Sequence, residues 1–201
     1  TGTLQGYRTE SVTSAASAVV VLDRLISAVP TITGTATSGS RLPAHPGLWT
    51  RGTKMTYQWL ANGKAIPGAR SSTFKITNAQ RGAKITVAVT GTQTNFAPQT
   101  RTSAATLAVP TTSKPTISGS AIVGKTLTAQ RGTWTSGTSF SYRWLANGKA
   151  ISGATGASYK PTTSTVGAAI TVQVTGTKSG FTTVSTTSTA TTRVAKTATP
   201  T

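Results

Sequence analysis

The sequence repeats itself at a fixed offset, and this duplication constrains the fold more than any other feature. Trp49 and Trp134 are 85 positions apart (134 − 49), and so are Trp59 and Trp144. The two copies align without a gap, and self-similarity at a fixed period is the signature of tandem modules. The sequence therefore predicts two equivalent units, a first repeat at residues 30–109 and a second repeat at residues 115–194.

Each copy contains a stretch in which large apolar and polar residues alternate before an Asn-Gly pair. The stretch runs over residues 55–63 in the first copy and 140–148 in the second. Strict alternation is typical of a half-buried β-strand. Asn-Gly is the strongest short-range signal for a tight hairpin. The pattern predicts a long strand, a turn, and a second strand that begins at Ile66 or Ile151.

Turn signals follow one another at short intervals along each copy, and no helical period is sustained. This spacing predicts an all-β fold with about seven short strands per copy, arranged as a β-sandwich. In the second copy the predicted strands lie near residues 116–120, 123–129, 140–147, 149–152, 157–160, 168–176 and 183–194.

The residues predicted to fill the two cores recur at equivalent positions and lie on the inward side of the alternation. A tryptophan in the middle of a strand can anchor the core of a sandwich. The predicted core residues are Trp59, Trp144, Tyr57, Tyr142, Leu42, Leu127, Val87 and Val172.

Residues 1–21 match the end of each copy, now at an offset of 89, as Tyr7 against Phe96 (96 − 7) shows. They are predicted to be the last strand of a preceding repeat. The chain is then expected to be the carboxy-terminal part of a longer protein, with an upstream domain as one partner. Because an isolated strand cannot bury its apolar face, self-association through residues 1–20 is a further expectation.

Three connecting segments complete the predicted organisation. Residues 22–29 form an apolar joint that is expected to dock against a module. Residues 110–114 are rich in Pro and Thr and are expected to form a short, semi-extended linker. Residues 195–201 lack any periodicity and are expected to be a frayed tail.

The second copy carries a set of short motifs at residues 115–119, 123–127, 132–134, 142–148, 151–154, 159 and 172–176. In these motifs the sequence resembles immunoglobulin-like repeats that occur in tandem at the carboxy-terminal ends of secreted and surface-attached actinobacterial proteins. The resemblance covers both repeats and residues 1–21, and it implies immunoglobulin-like sandwiches in a secreted or cell-surface protein. Leu127 and either Val172 or Val174 stand where antibody domains place their bridging cysteines, so Trp144 is expected to pack on aliphatic groups.

The charge balance is strongly basic and indicates an anionic partner. The chain has 20 Lys and Arg against two acidic residues, which gives a net charge of +18 and a pI near 11.7. Such a surface attracts polyanions through a long-range field, and an anionic cell-wall polymer or polysaccharide, nucleic acid and anionic lipid head groups would all respond to it. The alternative interpretation is a solvated, self-repelling surface that keeps the protein soluble. No run reaches the roughly 20 apolar residues of a membrane span. The absence of cysteine excludes disulfides, thiolate zinc sites and a cysteine nucleophile.

Few residues are suited to catalysis or metal binding. The acids are Glu10 and Asp23, the single histidine is His45, and all three fall in different segments of the predicted organisation. Acid–base catalysis needs paired titratable groups in one pocket. We therefore expect no enzymatic activity, no metal site and no cofactor.

The candidate binding residues are aromatic or basic. Trp49 and Trp134 recur at a fixed point of the unit, where a core role competes with a sugar-stacking role. Lys64, Lys149 and Arg143 are predicted to face solvent. The basic residues are spread along the chain and no groove-entering helix is predicted, so specific nucleic-acid binding is not expected.

These features favour a non-catalytic extracellular spacer or cell-wall-association module of a larger secreted protein, whose basic surface gives weak adhesion. Two alternatives stay open. One is a carbohydrate-binding module that uses a tryptophan-bearing loop, and the other is a module that assembles through strand pairing of residues 1–20.

Overall fold

The structure is a computed structural model that describes residues 23–196. The predicted strand at residues 1–21, self-association through residues 1–20, and residues 197–201 of the predicted tail lie outside this range. Within it, the secondary structure is almost entirely strand, with short 3-10 turns at Asn78–Gln80 and Thr163–Thr165.

The described residues form sixteen strands. A short strand, β1 (Asp23–Arg24), precedes the first repeat. Those of the first repeat are β2 (Thr31–Ile32), β3 (Arg41–His45), β4 (Lys54–Ala61), β5 (Lys64–Ala65), β6 (Thr73–Lys75), β7 (Ile85–Thr92), β8 (Phe96–Ala97) and β9 (Gln99–Thr102). Those of the second repeat are β10 (Thr116–Ser118), β11 (Leu127–Gln130), β12 (Ser139–Ala146), β13 (Lys149–Ala150), β14 (Ser158–Tyr159), β15 (Ile170–Thr177) and β16 (Val184–Thr187).

Each repeat pairs its strands into one three-stranded and one four-stranded antiparallel sheet. The orders are β2-β3-β6 and β5-β4-β7-β9 in the first repeat, and β10-β11-β14 and β13-β12-β15-β16 in the second. Strands that alternate between two facing sheets in this way give the immunoglobulin-like arrangement. The predicted all-β, immunoglobulin-like class is confirmed, whereas the residue boundaries of the two repeats stay a prediction.

The register of the central strands is the same in both repeats. Trp59 on β4 lies opposite Val87 on β7, and Trp144 on β12 lies opposite Val172 on β15. Because the side-chain period of a strand is two, this shared register puts equivalent residues on the inner face of each sandwich. The two copies are therefore built on one plan.

The Asn-Gly hairpin forms in both repeats. Its second strand starts at Lys149 in the second repeat, as the strand predicted near 149–152 has it, and at Lys64 in the first, earlier than the predicted Ile66. Ala61 pairs with Lys64, which leaves Asn62 and Gly63 as a two-residue turn with φ of 48° and 78°. Positive φ at both positions is the requirement of a type I′ turn. Since pairing resumes directly after such a turn, β5 begins at Lys64 and not at Ile66.

Most strands of the second repeat are shorter than predicted, and two of them differ from the prediction for a visible reason. The strand expected at 123–129 begins at Leu127, because a turn precedes it in which Lys125 N–H donates to the Ile122 carbonyl at 3.0 Å. The strand expected at 183–194 ends at Thr187. Beyond it the chain is held by single bridges, such as the one between Arg193 and Ala169.

The hydrophobic core of each repeat surrounds one tryptophan. Trp59 and Trp144 have no exposed surface, and neither do Leu42, Leu127, Val87 and Val172. The indole of Trp59 stacks on Phe74 with ring centroids 5.6 Å apart, and Trp144 lies 5.7 Å from Tyr159. Trp144 therefore packs on an aromatic ring as well as on the aliphatic groups expected around it.

Tyr57 and Tyr142 lie at the margin of the cores and are only partly buried. A phenol hydroxyl needs a polar partner, and this requirement favours positions near solvent. In the second repeat the Arg131 guanidinium donates to the Tyr142 hydroxyl at 3.4 Å. These tyrosines thus border the cores that the tryptophans fill.

Both connecting segments contact the module that follows them. The apolar joint pairs through β1 with β8 in parallel, and its Leu25 is 3% exposed. The linker at 110–114 begins with a buried Pro110 and continues with Thr111, which is hydrogen-bonded to Thr135. Docking was expected of the first segment only, so the second is less independent than its composition suggests.

Candidate functional site

Trp49 and Trp134 each lie across a glycine of the four-stranded sheet. A Cβ atom built on Gly176 would lie 2.5 Å from a ring carbon of Trp134, and Trp49 covers Gly91 in the same way. The indole N–H of Trp134 donates to the Arg131 carbonyl at 2.8 Å. Both rings are partly buried. Each packs against the glycine of its own repeat and donates its indole N–H to a carbonyl of the same repeat.

The surroundings of these two tryptophans differ. Trp134 lies edge-on to Phe140, with ring centroids 5.4 Å apart, and the Arg131 guanidinium lies 4.4 Å above the Phe140 ring. Together they line a shallow groove of about 330 Å³. The first repeat has Met55 and Pro46 at the positions of Phe140 and Arg131. A groove with this aromatic and basic lining belongs to the second repeat.

The predicted basic residues are all exposed, on separate strands. Lys64 and Lys149 are the first residues of β5 and β13, directly after the Asn-Gly turns. Arg143 lies on the outer face of β12 opposite Gln173. Their role in binding stays a prediction.

The structure also brings two cations together in a pair that the sequence did not indicate. Arg41 on β3 lies directly opposite Lys75 on β6, and both side chains are exposed. Because Leu42 and Ala44 point into the core, Arg41 is on the outer face of the three-stranded sheet. Arg70 and Lys75 line one shallow groove of about 300 Å³. We call Arg41, Arg70 and Lys75 the basic cluster.

The second repeat keeps only one charge of this cluster. At the offset of 85, Thr126 replaces Arg41, Thr155 replaces Arg70, and Lys160 replaces Lys75. Both repeats share one fold, so the fold does not require the two additional cations. Arg41 and Lys75 are 34 positions apart in sequence (75 − 41), and only the pairing of β3 with β6 brings them together. Local spacing therefore gives no signal for the cluster.

The described part of the chain has almost no negative charge to neutralise its cations. Of the two acidic residues of the sequence, only Asp23 falls within residues 23–196, and its side chain is exposed. His45 shares a hydrogen bond of 3.0 Å with the Thr33 hydroxyl, so its ring is engaged on the sheet surface. Within the same range, no group of three or more His, Cys, Asp or Glu side chains is arranged to hold a metal ion. Residues 23–196 also contain no helix with the length and hydropathy of a membrane span.

The solved structures that align with this chain are only distantly similar to it. No family model matches the sequence, and none of the curated proteins matches it. A Ca²⁺-stabilised adhesin with which an Antarctic bacterium binds ice aligns with a TM-score of 0.33 and 12% identity, over 87% of this chain and 51% of that one. This chain thus spans about half the length of the adhesin.

Two immunoglobulin-type structures align over most of their own length. Murine CEACAM1b gives a TM-score of 0.36 and 11% identity, over 84% of this chain and 98% of that one. The amphioxus IgVJ-C2 molecule gives a TM-score of 0.27 and 16% identity, over 71% of this chain and 90% of that one. TM-scores in this range give no basis for transferring a function from these structures to this chain.

Proposed function

We propose that this chain is a non-catalytic extracellular module pair that spaces an upstream domain from the cell wall, or holds it there, by weak adhesion to anionic wall polymers. The observation that carries the proposal is the charge balance. The net charge is +18, and Asp23 is the single acidic residue in residues 23–196. A surface of one sign attracts a polyanion over about 8 Å at physiological salt.

The basic cluster is the part of this surface best suited to an anionic polymer. Like charges directly opposite each other on paired strands are destabilising. Arg41 and Lys75 face each other in this way, with exposed side chains that can both donate to one anionic group. An anion between them would relieve the repulsion. Exposed ion pairs contribute at most about 1 kcal/mol each, so useful adhesion requires many anionic groups on one ligand.

The test is the binding of the full chain to a glycerol-phosphate polymer and to purified walls as the salt concentration rises. Release of counterions makes such binding fall steeply with salt, so we expect it to be strong at about 50 mM and lost by about 500 mM. Binding that is absent at low salt, or that does not change with salt, would contradict the proposal.

A pair of charge-matched variants locates the adhesion. Arg41→Thr with Arg70→Thr gives the first repeat the residues of the second, and Lys54→Thr with Lys84→Thr removes the same charge elsewhere in that repeat. We expect the cluster variant to lose more affinity than its control. An equal loss would instead assign the adhesion to the net charge of the whole surface.

The groove beside Trp134 supports a second candidate, a carbohydrate site. Arg131, Trp134 and Phe140 form an aromatic and basic lining there. Stacking of a sugar on an indole does not depend on counterion release. Wall binding that survives about 1 M salt and disappears in a folded Trp134→Ala variant would favour this candidate over electrostatic adhesion.

A further inference from the structure

We infer that the two repeats are held rigidly by the junction between them, whose contacts recur at the start of each repeat. The first junction, residues 23–28, contacts the first repeat. The second, residues 108–113, contacts the second repeat. The same offset of 85 relates them (108 − 23), although their sequences share no pattern.

The first recurring feature is a parallel bridge to a phenylalanine. Asp23 pairs with Phe96, and Ala108 pairs with Phe181. In the second junction Ala108 N–H donates to the Gly180 carbonyl at 2.9 Å, and Thr182 N–H donates to the Ala108 carbonyl at 3.1 Å. Each incoming segment is thus bonded through its main chain to the next module.

No unbonded residue lies between the last residue held by the first repeat and a residue held by the second. Val109, the residue after Ala108, is fully buried in the core of the first repeat. Its N–H donates to the Ala83 carbonyl at 3.0 Å, and its carbonyl accepts from Gly82 at 2.8 Å. Two consecutive residues are therefore bonded to different repeats. A flexible tether needs residues that are free of both.

In each junction a threonine of the repeat forms two hydrogen bonds with one residue of the incoming segment. Ile26 N–H donates to the Thr50 hydroxyl at 2.9 Å, and Thr50 N–H donates back to the Ile26 carbonyl at 3.1 Å. In the second junction Thr111 and Thr135 exchange the same two bonds, at 2.8 and 3.1 Å. These two hydrogen bonds satisfy both main-chain polar groups of the incoming residue, its N–H and its carbonyl.

A buried anchor and a close glycine contact also recur. Leu25 and its counterpart Pro110 are both buried. A Cβ atom on Gly47 would lie 2.7 Å from Cβ of Ala28, and one on Gly132 would lie 2.8 Å from Cβ of Ser113. Glycine is required at both positions by this approach and by φ values of 75° and 70°.

Four separate features thus repeat at one offset, in segments with different side chains. The common element is the backbone path, which fixes where each incoming segment enters its module. The edge at Phe96–Ala97 holds Asp23–Arg24 in the first junction, as Phe181 holds Ala108 in the second. This inference does not depend on polymer binding, because no ligand takes part in the junction.

The test is a distance measurement between spin labels on the full chain. The chain contains no cysteine, so Lys64→Cys with Lys149→Cys labels one equivalent, exposed position in each repeat. We expect a single narrow distance distribution. A broad distribution in the natural chain, as a flexible linker gives, would overturn the inference.

A Gly-Ser-Gly-Ser insertion between Val109 and Pro110 serves as the matched variant. It separates Thr111, which is bonded to the second repeat, from Val109, which is bonded to the first, and leaves the Ala108 bridge alone to hold the second repeat, so we expect the distribution to broaden markedly. Labels at Arg41→Cys and Lys64→Cys, both in the first repeat, report whether that repeat stays folded and should keep their distance. An insertion that leaves the distance between repeats narrow would also overturn the inference.

Discussion

At the scale of single residues, the rings that pack on the two buried tryptophans differ by one hydroxyl group. Trp59 packs on Phe74 and Trp144 packs on Tyr159, which occupy equivalent positions. Within residues 23–196, the Tyr159 hydroxyl is the one buried side-chain polar atom that lacks a hydrogen-bond partner. An unsatisfied buried group of this kind costs about 1–3 kcal/mol. The first repeat avoids this cost by carrying phenylalanine.

The hydroxyl leads to a reciprocal prediction. Tyr159→Phe is expected to raise the free energy of unfolding by about 1 kcal/mol, and Phe74→Tyr is expected to lower it by about 1–3 kcal/mol. Denaturant unfolding followed by tryptophan fluorescence measures both. A Tyr159→Phe variant that is clearly less stable than the natural chain would show that the hydroxyl has a partner in solution.

At the scale of strands, a glycine in each central strand is explained by the tryptophan above it. Gly91 in β7 and Gly176 in β15 point inward, where a glycine normally weakens a strand. The rings of Trp49 and Trp134 occupy the space that a Cβ atom would need. The glycine and the tryptophan thus form one packing unit, which positions the loop that carries the indole.

Gly176→Ala tests this unit. The new methyl group has to displace the ring of Trp134, and overpacking of this kind costs about 1–3 kcal/mol. Gly156→Ala is the control, because its Cβ would make an ordinary contact of 3.5 Å with the Ser158 carbonyl. Thermal unfolding of both variants gives the comparison. Equal stability of the two variants would mean that the ring is not held against the strand.

The elements were more predictable from sequence than the contacts between them. Alternation around Trp59 and Trp144 indicated the long strands, and Asn62-Gly63 indicated the hairpin, because both signals are local. The stacking of Trp134 on Gly176 joins residues 42 positions apart (176 − 134), and the facing of Arg41 and Lys75 also depends on strand pairing. No local pattern encodes such contacts. The candidate basic cluster therefore became visible only in the fold.

At the scale of the whole molecule, composition gave a misleading view of the connections. Residues 22–29 are apolar and residues 110–114 are rich in Pro and Thr, which predicted one docked joint and one spacer. The structure gives both the same main-chain contacts. These contacts are main-chain hydrogen bonds and one hydrogen bond to a threonine hydroxyl. Such bonds do not depend on whether the side chains of the segment are apolar. This recurrence is the basis of the inference that the two repeats are held rigidly.

Amide hydrogen exchange at two neighbouring residues tests this continuity most directly. Val109 N–H is bonded within the first repeat, whereas Ala108 N–H is bonded to the second. Local opening sets the exchange rate, so an amide that is held only transiently exchanges quickly. A rigid junction predicts that Ala108 in the full chain is protected to a similar degree as Val109. Protection of Val109 together with rapid exchange of Ala108 would show that the repeats move independently and would contradict the account.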